Sequence, residues 1–165
     1  MKAFGYLARI FERYNMSNTL YIGFKGKNNT SCAAAEQFEN HYLLTNSFDG
    51  LRKDIEAIDS VPGRVIMFGV DKSLTDSVRI ERVAEVDGER SISSLDLIAI
   101  ALALRDADLE VSISGRPTQY LCNDAYLRLL KKFDGRAVLI QIPTIKNADE
   151  NFIKKLIILK SAYLE

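Results

Sequence analysis

Cys122, Cys32 and His41 are the residues whose side chains could act as a nucleophile or carry a proton near neutral pH and that are scarce enough to single out. Cys122 has the more suggestive setting. The spacing predicts a helix over Leu121 to Phe133, entered from a strand over Leu109 to Ile113 through Ser114-Gly115-Arg116-Pro117-Thr118-Gln119. A thiol at a helix start meets unsatisfied N–H groups and the positive end of the dipole, which favour the thiolate. The same N–H groups suit an oxyanion formed in acyl transfer. The carboxyl end of a parallel strand is also where open α/β sheets bind ligands. Yet Cys122, Tyr126, Leu129, Leu130 and Phe133 share one helix face, and on local pattern alone burial in a core is the stronger reading. Cys32 falls near another helix start with no further support, and is read as structural.

Other chemistries are excluded by what the sequence lacks. A single histidine, His41, rules out a multi-histidine metal site, and neither cysteine belongs to a C-x-x-C pair. There is no G-x-G-x-x-G, no G-x-x-x-x-G-K-[ST], no H-E-x-x-H and no G-x-S-x-G. No metal and no cofactor is expected.

The elements that would position Cys122 alternate in type. Phe4, Leu7, Ala8, Phe11 and Tyr14 have helical spacing, which predicts an N-terminal amphipathic helix. A strand over Leu20 to Phe24 follows, then a helix from Cys32 to Asn40 whose capping residues come from Asn28-Asn29-Thr30-Ser31. His41 to Thr45 reads as a second strand, and Ser47 caps a helix bearing Phe48, Leu51, Ile55 and Ile58. The apolar run Val65 to Val70 suits a strand covered on both faces. Ser77 to Val86 reads as one half-exposed strand ending in an Asp87-Gly88 turn. A helix over Leu95 to Leu104, the strand and helix around Cys122, a strand over Ala137 to Ile142 and a helix over Asn151 to Tyr163 complete the order. Such alternation implies a three-layer α/β/α sandwich with a mainly parallel central sheet. The chain is read as a single α/β domain over 1–165, with a helical extension over 1–17 and a core over 18–165.

Three blocks in this order carry a resemblance. Val111-Ser112 through Tyr120-Leu121-Cys122-Asn123 and on to Tyr126, Leu129 and Leu130 resembles the cysteine motif of the pyroglutamyl peptidase (pyrrolidone carboxyl peptidase) family. Arg79-Ile80-Glu81-Arg82-Val83-Ala84 is similar to that family's segment around its triad glutamate. Ile22-Gly23-Phe24 resembles the start of its Gly-Phe-x-Pro-Phe-Gly-Gly loop. The resemblance implies the family's phosphorylase/hydrolase-like fold and its activity, cysteine exopeptidase removal of an N-terminal pyroglutamyl residue by a Cys–His–Glu triad. Carried over by position, Cys122 would be the nucleophile and Glu81 the group that orients the base. Phe24 would form one wall of the substrate pocket.

The base position breaks the pattern. The family's strand ending apolar-His-apolar-Pro corresponds to Ile140-Gln141-Ile142-Pro143. A carboxamide cannot exchange a proton near neutral pH, and losing a triad base typically costs on the order of 10⁴ to 10⁶ in turnover. His41, ahead of the second strand, is not expected to replace it. The remainder of the first loop has become Gly26-Lys27-Asn28-Asn29, which puts Lys27 where a second pocket aromatic belongs and makes it a candidate binding residue. Pro117-Thr118-Gln119 replaces the family's Ala-Gly-Thr, and only Asp87-Gly88-Glu89-Arg90 stands for a long substrate-side loop. Without the histidine, Glu81 between Arg79 and Arg82 reads equally as a salt-bridged strand residue. Three expectations stand open: a weak peptidase, a non-catalytic binding or assembly module, and a thiol-dependent hydrolase with another substrate.

Charge narrows the partners. Twenty-two basic residues balance 22 acidic ones, 47% of residues are hydrophobic and 27% charged, so neither a nucleic-acid footprint nor a basic membrane patch is present. A peptide, a small molecule or another copy of the chain is the expected partner. The first 14 residues carry Lys2, Arg9, Glu12 and Arg13 and lack the apolar centre of a signal peptide. Leu97 to Leu104 is too short to span a bilayer. A cytoplasmic location is the expectation.

Overall fold

The computed structural model describes residues 18–160. The expected N-terminal helix, and with it the 1–17 extension, lies outside the described residues. Eight strands form: β1 (Thr19–Phe24), β2 (His41–Leu44), β3 (Arg64–Val70), β4 (Ser77–Glu81), β5 (Val83–Val86), β6 (Glu89–Ile92), β7 (Glu110–Ser114) and β8 (Ala137–Ile142). The helices are α1 (Thr30–Ala35), α2 (Phe48–Glu56), α3 (Leu97–Asp106), α4 (Tyr120–Lys132) and α5 (Glu150–Lys155), the last running into a 3₁₀ turn over Leu156–Lys160.

Six strands make one sheet in the order β2-β1-β3-β8-β4-β7. The first four are mutually parallel, β4 runs antiparallel to β8, and β7 is parallel to β4. The expected mainly parallel sheet therefore forms, with one reversal at the β8–β4 junction. The apolar runs fill its centre: every residue of β8 is buried, as is every residue of β3 except Val70.

Strand alternation divides the core into two layers. On one face Tyr21, Ile66, Phe68, Ile80, Val138 and Ile140 meet α1, α3 and α5. On the other Ile22, Phe24, Val65, Met67 and Leu139 meet α2 and α4. Each fully buried Leu or Ile contributes roughly 1.5–3 kcal/mol. The parity has a functional consequence. Arg79 and Glu81 flank Ile80, and Gln141 flanks Ile140, so all three polar residues point to the α4 face with Cys122.

Several boundaries differ from the sequence reading. The closing helix, expected over Asn151 to Tyr163, is α5 from Glu150 to Lys155 followed by the 3₁₀ turn, and positions 161–163 lie outside the described residues. The single strand expected over Ser77 to Val86 is two strands, because the backbone at Arg82 leaves the β4–β8 ladder to exchange hydrogen bonds with Ser114 and Ser93. The second half pairs with β6, a strand the sequence reading lacked, in a hairpin closed by Asp87 (φ 50°) and Gly88 (φ 79°). Those angles suit a two-residue type I′ turn. The helix expected from Cys32 to Asn40 starts at Thr30, where the Asn29 side chain accepts from Ser31 N, and ends at Ala35. The helix expected from Leu95 starts at Leu97, where Asp96 caps it.

Candidate functional site

The first turn of α4 lies over the carboxyl ends of β3 and β8. Gly69 on β3 is paired in register with Gln141 on β8. A Cβ at Gly69 would stand 2.6 Å from Gln141 Oε1 and 2.9 Å from Cys122 Sγ. Glycine is thus what lets the thiol and the carboxamide converge on one point of the sheet. Thr118, in the loop before the helix, accepts a 3.4 Å hydrogen bond from Gln141 Nε2. Gln141 Oε1 is buried and has no hydrogen-bond partner.

Cys122 is half-buried. Burial pushes its thiol above the ordinary value, with Asp71 and Glu81 adding to the rise and a hydrogen bond from the Val70 backbone opposing it. The helix-start argument from sequence favoured a thiolate; desolvation and the two acidic neighbours outweigh it. Gln119, the N-cap residue, makes no side-chain cap bond, so the first N–H groups of α4 are not served by it. Tyr120 opens the helix at φ 64° and is 81% exposed.

Glu81 is fully buried, and one of its oxygens accepts from Arg79 Nε at 2.6 Å while Oε2 has no partner. Burial raises its carboxyl above the usual range, against the pull of Arg79. Arg79 also donates from Nη2 to Asp71 Oδ2 at 2.6 Å. Burial works against the Asp71 carboxylate, but bonds from Ser73 and Arg79 prevail and hold it below its ordinary value. One guanidinium thus joins two carboxylates directly beside Gln141, its register partner on β8. Asn123, next to Cys122, clamps the hairpin: its Nδ2 donates to Glu85 O at 2.5 Å and its Oδ1 accepts from Glu85 N at 3.2 Å.

These groups border a cleft of about 700 Å³ lined by Phe24, Asn46, Lys72, Tyr120, Cys122 and Gln141 among others. Of the residues singled out from sequence, Phe24, Cys122 and Gln141 come together there. Glu81 lies behind them, coupled electrostatically to Cys122. Lys27 is exposed and is not part of the cleft lining. His41 begins β2, away from the strand ends that form the cleft, with Nδ1 2.6 Å from Phe38 O. Cys32 is likewise outside the lining. Sequence reasoning did not single out Asp71 or Arg79 as site residues. The signal for Arg79 was its i,i+2 spacing from Glu81, which on a strand puts both on one face. Among the described residues no cluster of three or more His, Cys, Asp or Glu could hold a metal. No helix among them is long and apolar enough to cross a membrane.

This fold, a mixed six-stranded sheet with helices on both faces, is shared with solved pyrrolidone carboxyl peptidases. The chain is similar to pyrrolidone carboxyl peptidase from Thermococcus litoralis at 21% identity and a TM-score of 0.69, covering 88% of this chain and 92% of that one. It is similar to pyroglutamyl peptidase I from Bacillus amyloliquefaciens at 17% identity, TM-score 0.68, over 87% and 93% of the two chains. The Thermus thermophilus pyrrolidone carboxyl peptidase gives 17% identity and 0.66 over 87% and 95%. No family model matches the sequence, and no curated protein does.

Proposed function

We propose that this chain is a pyroglutamyl-peptidase-like protein whose cysteine site hydrolyses weakly or not at all, and that it works by binding a ligand beside Cys122. The observation carrying this reading is Gln141, which converges with Cys122 over Gly69, where the resemblance calls for a histidine. In the family's reaction that histidine would take the thiol proton and return it to the leaving amine. Gln141 can do neither. The raised thiol pKa compounds the loss, since the thiol stays protonated at neutral pH. Glu81, by position the group orienting a base, is held by Arg79 instead.

Two alternatives differ in what remains of the chemistry. A thiol-dependent hydrolase acting on another substrate would keep Cys122 as nucleophile; an assembly module would not need the cleft. The open 700 Å³ space beside Cys122 favours ligand binding over pure assembly. A fluorogenic pyroglutamyl amide, assayed with wild type, Cys122→Ser and Gln141→His, tests the proposal. Wild type and Cys122→Ser are expected to be indistinguishable from buffer or nearly so. Robust wild-type turnover that disappears in Cys122→Ser would overturn the reading.

A further inference from the structure

We infer that the outer face of α3 is the seat of the chain's own N-terminal segment, residues 1–16, packed antiparallel to that helix. The inference goes beyond the Cys122 site and does not depend on how that site is read.

The face belongs to a helix that is apolar on every side. Leu97 to Leu104 contains no polar residue, and a helix of that kind belongs inside a protein. Leu97, Ile100, Ala101 and Leu104 are buried in the core, yet Ile98 is 64% exposed and Leu102 53%. Four residues apart, these two stack on one side of the helix. The 3₁₀ turn packs beside α3 and adds Ile157, 37% exposed. On α3 itself, charge stands only in the last turn, at Arg105 and Asp106.

What covers this face follows from where the chain enters the sheet. Asn18 O accepts from Gly63 N just ahead of β3, and Ser94 N donates to Gly135 O just ahead of β8. β1, β3 and β8 are parallel neighbours. Residue 18 and the lead into α3 therefore lie at the same end of the sheet, two strand spacings or about 10 Å apart. Residues 15–17 bridge about 10 Å when extended. Ahead of them, the stripe Phe4, Leu7, Ala8, Phe11 and Tyr14 spans 11 residues, against 10 in α3, so the two helical lengths match at about 15 Å each. At the spacing of a helix, Lys2, Arg9, Glu12 and Arg13 fall opposite that stripe and stay in water. The tether sets the direction: Tyr14 lies over the start of α3 and Phe4 over its end. It also favours this segment over that of another copy, by effective concentration. Residues 161–165 have only Tyr163 and Leu164 as large apolar side chains, too few to cover two turns of helix.

The test places a nitroxide at Glu12→Cys or Lys2→Cys in the full ¹⁵N-labelled chain carrying Cys32→Ser and Cys122→Ser. Amide signals are compared before and after reduction of the label. The label at 12 should broaden the start of α3 most, and the label at 2 its end. Adding Leu102→Asp, a change at an exposed position, should abolish both effects. Broadening that misses α3, or that runs in the opposite order for the two labels, overturns the inference. So does broadening of α3 only when labelled ¹⁴N chain is mixed with unlabelled ¹⁵N chain, since the occupant is then a second copy. A second measurement keeps both cysteines. Leu102→Asp should shift the amides of residues 4–14, and Phe11→Asp those of residues 97–106; absence of these reciprocal shifts overturns the inference even if the cysteine variants fail to fold.

Discussion

Adding one methyl group at Gly69 should unsettle the site more sharply than the size of the change suggests. Its Cβ would lie 2.6 Å from Gln141 Oε1, 2.9 Å from Cys122 Sγ and 3.1 Å from Leu139 Cδ1. Leu139 is fully buried and Gln141 nearly so, so neither can swing into solvent. Overpacking of this kind costs about 1–3 kcal/mol. In a chain of this size each kcal/mol lowers Tm by about 2–4 °C, so Gly69→Ala should lower it by several degrees. The contacts also say how to relieve the strain. Gln141→Ala removes the atom at 2.6 Å, so the double variant Gly69→Ala/Gln141→Ala should be less destabilised than the sum of the singles, by about 0.5–3 kcal/mol of coupling. Thermal and urea unfolding of the four proteins measures both numbers. An unchanged Tm in Gly69→Ala, or strict additivity, would refute the convergence of thiol and carboxamide on this glycine.

The remaining expectations concern protons and charge. Alkylation of Cys122 should accelerate only at alkaline pH, with a midpoint above the free-thiol value of about 8.5, because burial and two acidic neighbours hold the proton on sulfur; a midpoint below 8.5, measured against a Cys32→Ser background, contradicts this. Arg79→Met should cost about 3–5 kcal/mol near neutral pH by leaving Glu81 as a buried carboxylate without its partner. A carboxyl with a raised folded-state pKa loses stability as pH rises from its unfolded value through the folded one. The loss in Arg79→Met should therefore shrink as pH is lowered toward 5, and urea unfolding showing the same loss at pH 7.5 and pH 5 would count against it.

The sequence showed most of the sheet because its strands are apolar runs: Val65 to Val70 and Ala137 to Ile142 match β3 and β8 closely. It hid β6, whose residues Glu89, Arg90 and Ser91 carry no apolar alternation and whose Ile92 is 55% exposed. The break at Arg82 did leave a trace, since Val78 and Ile80 keep a two-residue period that Val83 violates. For Cys122 the two readings were not exclusive. It packs against the α4-side core and also lines the cleft. What no linear pattern could show is the sharing of Arg79 between Glu81 and Asp71, because Asp71 sits at the end of a different strand and reaches Arg79 only through the fold. Lys27 illustrates the opposite limit: position in a loop gives no direction for a side chain, and here it is exposed and outside the cleft lining.

Strand order also says when this site can exist. β2, β1 and β3 form one group, β4 and β7 another, and β8 alone joins them. As the chain is synthesised, both groups must wait with open edges until residues 137–142 arrive, some 67 positions after β3 has ended. Any chain stopped short of β8 would present two unpaired strand edges of the kind that recruit other chains. The last strand to be made is the one that carries Gln141 to Cys122, so completing the sheet and assembling the cleft are a single event.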